Sequence, residues 1–311
     1  MFVKQNETVN TLALGWDSAG LKILSRAAVE KHKEIKAFLT HEWGKAEEAK
    51  DKARRDLIWR IHGCLDKLGA VLLQLLRLKG HVDSLELQAQ MMPKGVTAAL
   101  HAEEACWDFE GLLLQSRAAL DRLTWFVADR FGQKCNSFSR LEAILKGVKQ
   151  KHTDADQLYQ LVANCRPIEA AFVDGEGYES LRSFVAHRGG VSEAVENHFQ
   201  ITRVSAESAI LVDCESYGIP VLETAKQAGQ YIPYLILNSL SVIAGLKPLD
   251  MNQFHPPWKT PIAVLSKHIS QTTGTQFLYV SRMTPDGVEM KTVYVTDTLF
   301  LEALNTREAN S

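Results

Sequence analysis

Residues 109–127 read FEGLLLQSRAALDRLTWFV, and their reading decides the fold. Phe109, Leu112, Leu113, Ala119, Leu120, Leu123, Phe126 and Val127 recur at steps of three, four and seven, which places them on one face of a helix. A strand would need alternation, and this stretch has none. Gly132 closes the segment, so the spacing predicts one long helix from about Val96 to Phe131. Trp107, Trp125 and Phe126 are most simply core side chains of it.

The preceding region has the same character. Residues 41–55 alternate acids and bases (Glu42, Lys45, Glu47, Glu48, Lys50, Asp51, Lys52), the pattern of a solvated helix with i,i+4 pairs. An apolar stripe follows through Leu57, Ile61, Cys64, Leu65, Leu68, Val71, Leu72, Leu75 and Leu76, with Gly80 expected to stop it and Pro93-Lys94-Gly95 to separate it from the next helix. Shorter helices are expected over residues 139–149 and 154–172, a turn at Asp174-Gly175-Glu176-Gly177, and another helix over residues 178–188. Residues 199–204 and 209–212 are rich in apolar and β-branched side chains and predict a hairpin. Pro220 then stands at the first turn of a long helix over residues 221–244, a position that proline tolerates. Beyond Pro248 the prolines at 256, 257 and 261 mark an irregular crossing. Residues 276–283 and 288–295 flank Pro285-Asp286-Gly287, a second hairpin signal.

These readings define a mainly α fold: an antiparallel helical bundle with a β-hairpin insertion and a small β-containing C-terminal appendage. The expected divisions are a helical N-terminal extension over 1–95, the bundle over 96–247 and the appendage over 248–311. The 311 residues suffice for one large or two smaller domains, and 46% hydrophobic with 23% charged residues is ordinary for a globular protein. The formal net charge of -2 excludes a global attraction to nucleic acid, so any such contact needs a local basic patch. The five cysteines form no Cys-x-x-Cys pair, and the polar start Met1-Phe2-Val3-Lys4 carries no secretory signal, so free thiols in a reducing cytoplasm are expected. The longest apolar candidate, residues 231–246, is broken by Pro233, Asn238 and Ser239, so no membrane span is expected. The histidines show no metal-ligand spacing with cysteine or acid, and no phosphate loop or nucleophile elbow is present. No metal or cofactor is expected.

The chemistry-bearing stretch is Glu179-Ser180-Leu181-Arg182-Ser183-Phe184-Val185-Ala186-His187-Arg188-Gly189-Gly190. Arginine is a permanent cation with a fork of donors that fits phosphate. Histidine moves protons near neutral pH. Arg182 and His187 together can hold a phosphodiester and perform acid–base chemistry on it. In a regular helix the five-residue step turns the side chain by roughly 140°, so the two flank the apolar stripe of Leu181, Phe184 and Val185. Gly189-Gly190 ends the helix directly afterwards, which lets the pair border a cleft. Chance supplies about half a match to Arg-x4-His in a chain of this composition. Longer-gap pairs, Arg26 with His32 and Arg55 with His62, lie inside long helices with no break after the histidine and read as structural. The plain alternative for Arg182 and His187 is a solvated helix end beside the negative pole of the helix dipole.

Leu181-Arg182-Ser183-Phe184-Val185-Ala186-His187 resembles the Leu-Arg-(Asn/Asp/His)-x-x-x-His stretch of the HEPN superfamily, with Ser183 where an amide or charged residue is usual. The long helix before it, and the hairpin and closing helix after it, extend the resemblance over about residues 96–247. The resemblance implies a dimeric helical domain, in many members a metal-independent ribonuclease acting as a toxin or antiphage effector, in others a non-catalytic module that binds a nucleotide, RNA or a protein. It implies RNA as substrate, a homodimer, and a cognate antitoxin or sensor protein as partner. His187 would act as general acid or base and Arg182 would stabilise charge on the phosphorane. Ser183 would orient the histidine or the phosphate, Glu179 would support Arg182 one turn away, and Arg188 would add a phosphate contact or cap the helix. Asp121 could face such a cleft or remain an exposed helix acid. A helical interaction protein with an accidental motif stays open beside these readings.

Overall fold

The computed structural model describes residues 23–91, 93, 97–101, 103–165, 172, 182–183, 186, 198–203, 209–212, 215–216, 219–254, 263–269, 276–284 and 287–294. The fold is mainly helical. The first helix, α1 (Arg26–Glu48), starts where Ser25 caps it: the Ala28 N–H donates to Ser25 Oγ at 3.2 Å, which satisfies one of the orphan donors of the first turn. Lys50, at φ 54°, turns the chain into α2 (Lys52–Met91), and Asp51 accepts from the Arg54 N–H at 3.0 Å.

α2 is 40 residues long and passes straight through Gly80, where a stop was expected. A glycine in a helix costs about 1 kcal/mol relative to alanine but does not break the hydrogen-bond ladder. The buried stripe stays in phase across it, with Leu75 and Leu78 before Gly80 and Val82 and Leu85 after it. Burial on both sides outweighs the local penalty.

The helix expected from Val96 begins instead at Glu103. Residues 97–101 are strand β1 (Thr97–His101), and α3 (Glu103–Arg130) follows. Nothing local distinguishes Thr97-Ala98-Ala99-Leu100-His101 from a first helical turn; what makes it a strand is pairing with β2 (His198–Arg203), about 100 residues away. Within α3 the expected face is confirmed: Phe109, Leu112, Leu113, Leu120, Leu123, Phe126 and Val127 are all buried. Trp107 and Trp125 are not core. They remain 54% and 41% exposed, because the helix faces its buried side toward Phe126 and leaves both indoles on the opposite side.

α2 and α3 are antiparallel neighbours. Arg60 pairs with Asp129 at 2.7 Å, Lys67 donates to Gln115 at 3.2 Å and Arg77 pairs with Asp108 at 3.4 Å, so numbers rise along one helix as they fall along the other. The helices come close at Gly111, where an added Cβ would lie 2.9 Å from the Gln74 side chain. Gly132 closes α3 with φ 68°, and the Gln133 N–H returns to the Ala128 carbonyl at 2.9 Å, the left-handed stop that glycine adopts without Cβ strain. Two short helices follow, α4 (Leu141–Val148) and α5 (Thr153–Ala163); the second ends before the expected residue 172. A further helix, α6 (Val221–Ile243), carries Pro233 inside it. Buried Asn238 is bonded both ways to Leu249, donating to its carbonyl and accepting from its N–H at 2.8 Å each, which folds the chain back after the helix.

The strands form one six-stranded sheet in the order β1-β2-β3-β6-β7-β8, with β3 (Ala209–Val212), β6 (Ala263–Ile269), β7 (Gln276–Thr284) and β8 (Gly287–Tyr294), and a separate two-stranded pair of β4 (Glu215–Ser216) and β5 (Ile219–Pro220). All neighbours are antiparallel except β3 and β6, which run parallel with Leu211 opposite Val264. A hairpin inserted in a bundle and a separate appendage are therefore not the arrangement. Strands from residues 97–101, 198–212 and 263–294 share one sheet. Pairing over such separations leaves no mark in the local sequence.

The chain divides into two compact units, one of Met1–Lys79, Trp107–Gly190 and Ala225–Trp258, the other of Gly80–Cys106, Val191–Thr224 and Lys259–Ser311. Among the described residues, no helix is long and apolar enough to cross a membrane, and Cys64, Cys106, Cys135 and Cys165 are buried.

Candidate functional site

Two of the five residues singled out in the Arg-x4-His stretch are described. Arg182 and Ser183 are helical, as is Ala186. Ser183 is buried, Ala186 is exposed, and Arg182 lies between them in exposure. Glu179, His187 and Arg188 fall outside the described residues.

The Arg182 Nε–H is shielded from solvent and finds no hydrogen-bond acceptor among the described residues. Leaving a buried donor unpaired costs about 1–3 kcal/mol, and native proteins tolerate such groups at few places. Such a donor is able to bond an anionic oxygen. Ser183 is withdrawn from solvent, which places its hydroxyl in the packed side of the helix.

Upstream, the chain that leads toward this helix is tied to α3 by Arg117. This buried arginine donates through Nε to Asp121 Oδ2 at 3.0 Å, through Nη1 to the Phe172 carbonyl at 3.2 Å and through Nη2 to Ser137 Oγ at 2.9 Å. Asp121 Oδ1 in turn accepts from the Phe138 N–H at 3.0 Å. Asp121 is thereby bonded through both carboxylate oxygens rather than standing as an exposed helix acid. Its carboxylate is spent on holding Arg117 and the turn at Ser137-Phe138.

A second arrangement was not legible in the sequence. On one flank of the α2–α3 pair, a cleft of about 420 Å³ is lined by Trp59, Arg60, His62 and Asp66 from α2 and by Arg122 and Trp125 from α3. The Arg60 guanidinium lies 4.6 Å from the Trp125 ring centroid and that of Arg122 lies 5.9 Å from it, distances at which the ring quadrupole attracts a cation. Burial pushes His62 below the ordinary histidine value, opposed by Asp66 and assisted by Lys36. Burial likewise lowers Lys36, here opposed by Asp66, and pushes the Cys64 thiol up to about 12. His62 is the histidine of the Arg55–His62 pair, and His32 of the other long-gap pair is buried in α1 with its pKa lowered by desolvation. The cleft residues are about 60 positions apart along the chain, so no spacing rule could have joined them.

Among the described residues no group of three or more His, Cys, Asp and Glu side chains is arranged to hold a metal ion. Comparisons with models of known protein families, with curated proteins and with solved structures find no match.

Proposed function

We propose that this protein is a HEPN-type, metal-independent endoribonuclease acting as a homodimer. Arg182 holds the scissile phosphate and stabilises the phosphorane, and His187 relays the proton as the ribose 2′-OH attacks the adjacent phosphorus. Arg188 adds a phosphate contact and Glu179 supports Arg182. A two-fold interface presents the same patch twice and would bring both copies of the pair together. An antitoxin or a sensor protein is the partner class that fits a toxin or antiphage effector. The observation that carries this reading is the Arg182 Nε–H, shielded from water and without an acceptor on a helix whose spacing supplies a histidine.

One observation favours a second reading, a HEPN module that binds a nucleotide, RNA or protein without cutting. Ser183 stands where the superfamily resemblance expects an amide or charged residue, and its side chain is buried. A buried hydroxyl cannot also reach a phosphate from the open side of the helix.

The test is cleavage of single-stranded RNA by the full chain and by Arg182→Ala and His187→Ala. General acid–base catalysis is worth on the order of 10²–10⁴ in rate, so either substitution should abolish cutting while the helical signal persists. The products should end in 2′,3′-cyclic phosphate, and EDTA should leave the rate unchanged. Wild-type protein that binds RNA at micromolar concentration and never cuts it establishes the binding module. An EDTA-sensitive nuclease overturns both.

A further inference from the structure

The structure points to a second site. We propose that the cleft between α2 and α3 binds a nucleotide unit, its base stacked on the indole of Trp59 and its phosphate paired with Arg122.

Trp59 is 72% exposed although it stands beside the buried Ile58 and Ile61 of α2. Tryptophan is among the largest apolar side chains, and one held mostly in water at the mouth of a cleft is a surface suited to stacking. Trp125 closes the other side, already carrying the two guanidinium groups against its ring. The two arginines differ. Arg60 is held by Asp129 at 2.7 Å and serves the α2–α3 contact. Arg122 is exposed and pairs with no carboxylate among the described residues, so its charge is available to a phosphate. Gly63 lies in the lining between Trp59 and Asp66, and a Cβ there would meet nothing within 4 Å, so the space is open. The volume of about 420 Å³ falls in the range of small-molecule sites.

The polar lining suits a base more than a cation. On the Trp125 face, two guanidinium groups already repel a lysine or methylammonium ligand. Asp56 and Asp66 supply acceptors for the amino and imino groups of a base edge. Asp66 is partly offset by Lys36, which lies within its electrostatic reach. His62, its pKa lowered by burial, offers a neutral imidazole with one donor and one acceptor. Aromatic rings interleaved with arginines are the usual means of holding unpaired bases, each stack being sequence-tolerant.

The site goes beyond the Arg182–His187 reading, since its residues lie on other helices and binding requires no cleavage. The same chemistry comes from a free mononucleotide or from one residue of a single-stranded RNA, and the experiment separates them. The full-length chain with His187→Ala, which cannot cut if that reading holds, is titrated with a labelled single-stranded RNA, with GMP and AMP, and with an oligolysine peptide. Trp59→Ala should weaken the nucleotide-bearing ligand by about tenfold or more, the scale of losing one base stack, while Trp59→Phe keeps most of the affinity. Arg122→Ala should reduce the slope of log K against log salt by about 0.7 for a single strand, one phosphate contact. Both side chains are exposed, so circular dichroism should match the parent. Tight RNA binding with weak GMP and AMP binding assigns the site to a strand; the reverse assigns it to a free nucleotide. Unchanged binding in Trp59→Ala and Arg122→Ala, or preference for oligolysine, overturns the proposal. Binding that depends on Trp59 and Arg122 in a wild-type chain that never cuts RNA supports this site and refutes only the ribonuclease reading.

Discussion

Replacing Arg117 by methionine tests whether the α3 network positions the chain that leads to Arg182. Arg117 has 10% of its side chain exposed and donates to three acceptors at 2.9–3.2 Å. Methionine fills most of the same volume and offers no donor. The Phe172 carbonyl then loses its charged donor, and an unsatisfied buried acceptor costs about 1–3 kcal/mol. Asp121 keeps the Phe138 N–H but loses its counterion. With 31% of its side chain exposed it can rehydrate in part, so the loss falls at or below the usual 3–5 kcal/mol for breaking a buried pair. Relief of the arginine's own desolvation acts in the other direction. The net expectation is a destabilisation of about 3 kcal/mol. Urea unfolding followed by helical circular dichroism measures it. Asp121→Asn keeps an acceptor for Phe138 but leaves the buried Arg117 guanidinium without its counterion, so it should cost about as much, and the double variant should show a coupling of about 1 kcal/mol or more. An Arg117→Met midpoint within about 0.5 kcal/mol of wild type, or additive single effects, would show that the network does not hold this region together.

His32 and His62 both have pKa values lowered from 6.5 by burial, with Asp66 and Lys36 acting in opposite senses on His62. Between the lowered values and 6.5 the unfolded chain holds more protons, so stability is present above 6.5 and is lost as pH falls through the folded values. Thermal melts between about pH 7.5 and pH 5 should show this decline, and it should shrink in the His32→Gln/His62→Gln variant; an equal decline in both chains would contradict the assignment. Gly80→Ala should stabilise α2 by about 0.5–1 kcal/mol, because a Cβ there meets nothing within 4 Å and the helix continues on both sides. Gly111→Ala should gain less, since its Cβ would lie 2.9 Å from Gln74; a higher melting temperature for Gly111→Ala than for Gly80→Ala would reverse the packing argument.

The sequence by itself determined the helical character and the inner face of α3, because a 3.6-residue period is a local property and burial of Phe109 through Val127 rewards it directly. It also offered Arg182 and His187 as a candidate pair by spacing, of which only Arg182 is among the described residues. The start of α3 was not legible, since Thr97–His101 is a strand only by virtue of His198–Arg203. Nor was the end of α2, where a glycine's local penalty is smaller than the burial on either side of it. Trp125 read as core because composition says how apolar a side chain is, and only packing says which flank of a helix is covered. The joining of Trp59 and His62 to Arg122 and Trp125 was decided by tertiary structure alone. Antiparallel packing of two helices brings positions about 60 residues apart to one cleft, and no pattern along either helix encodes its neighbour.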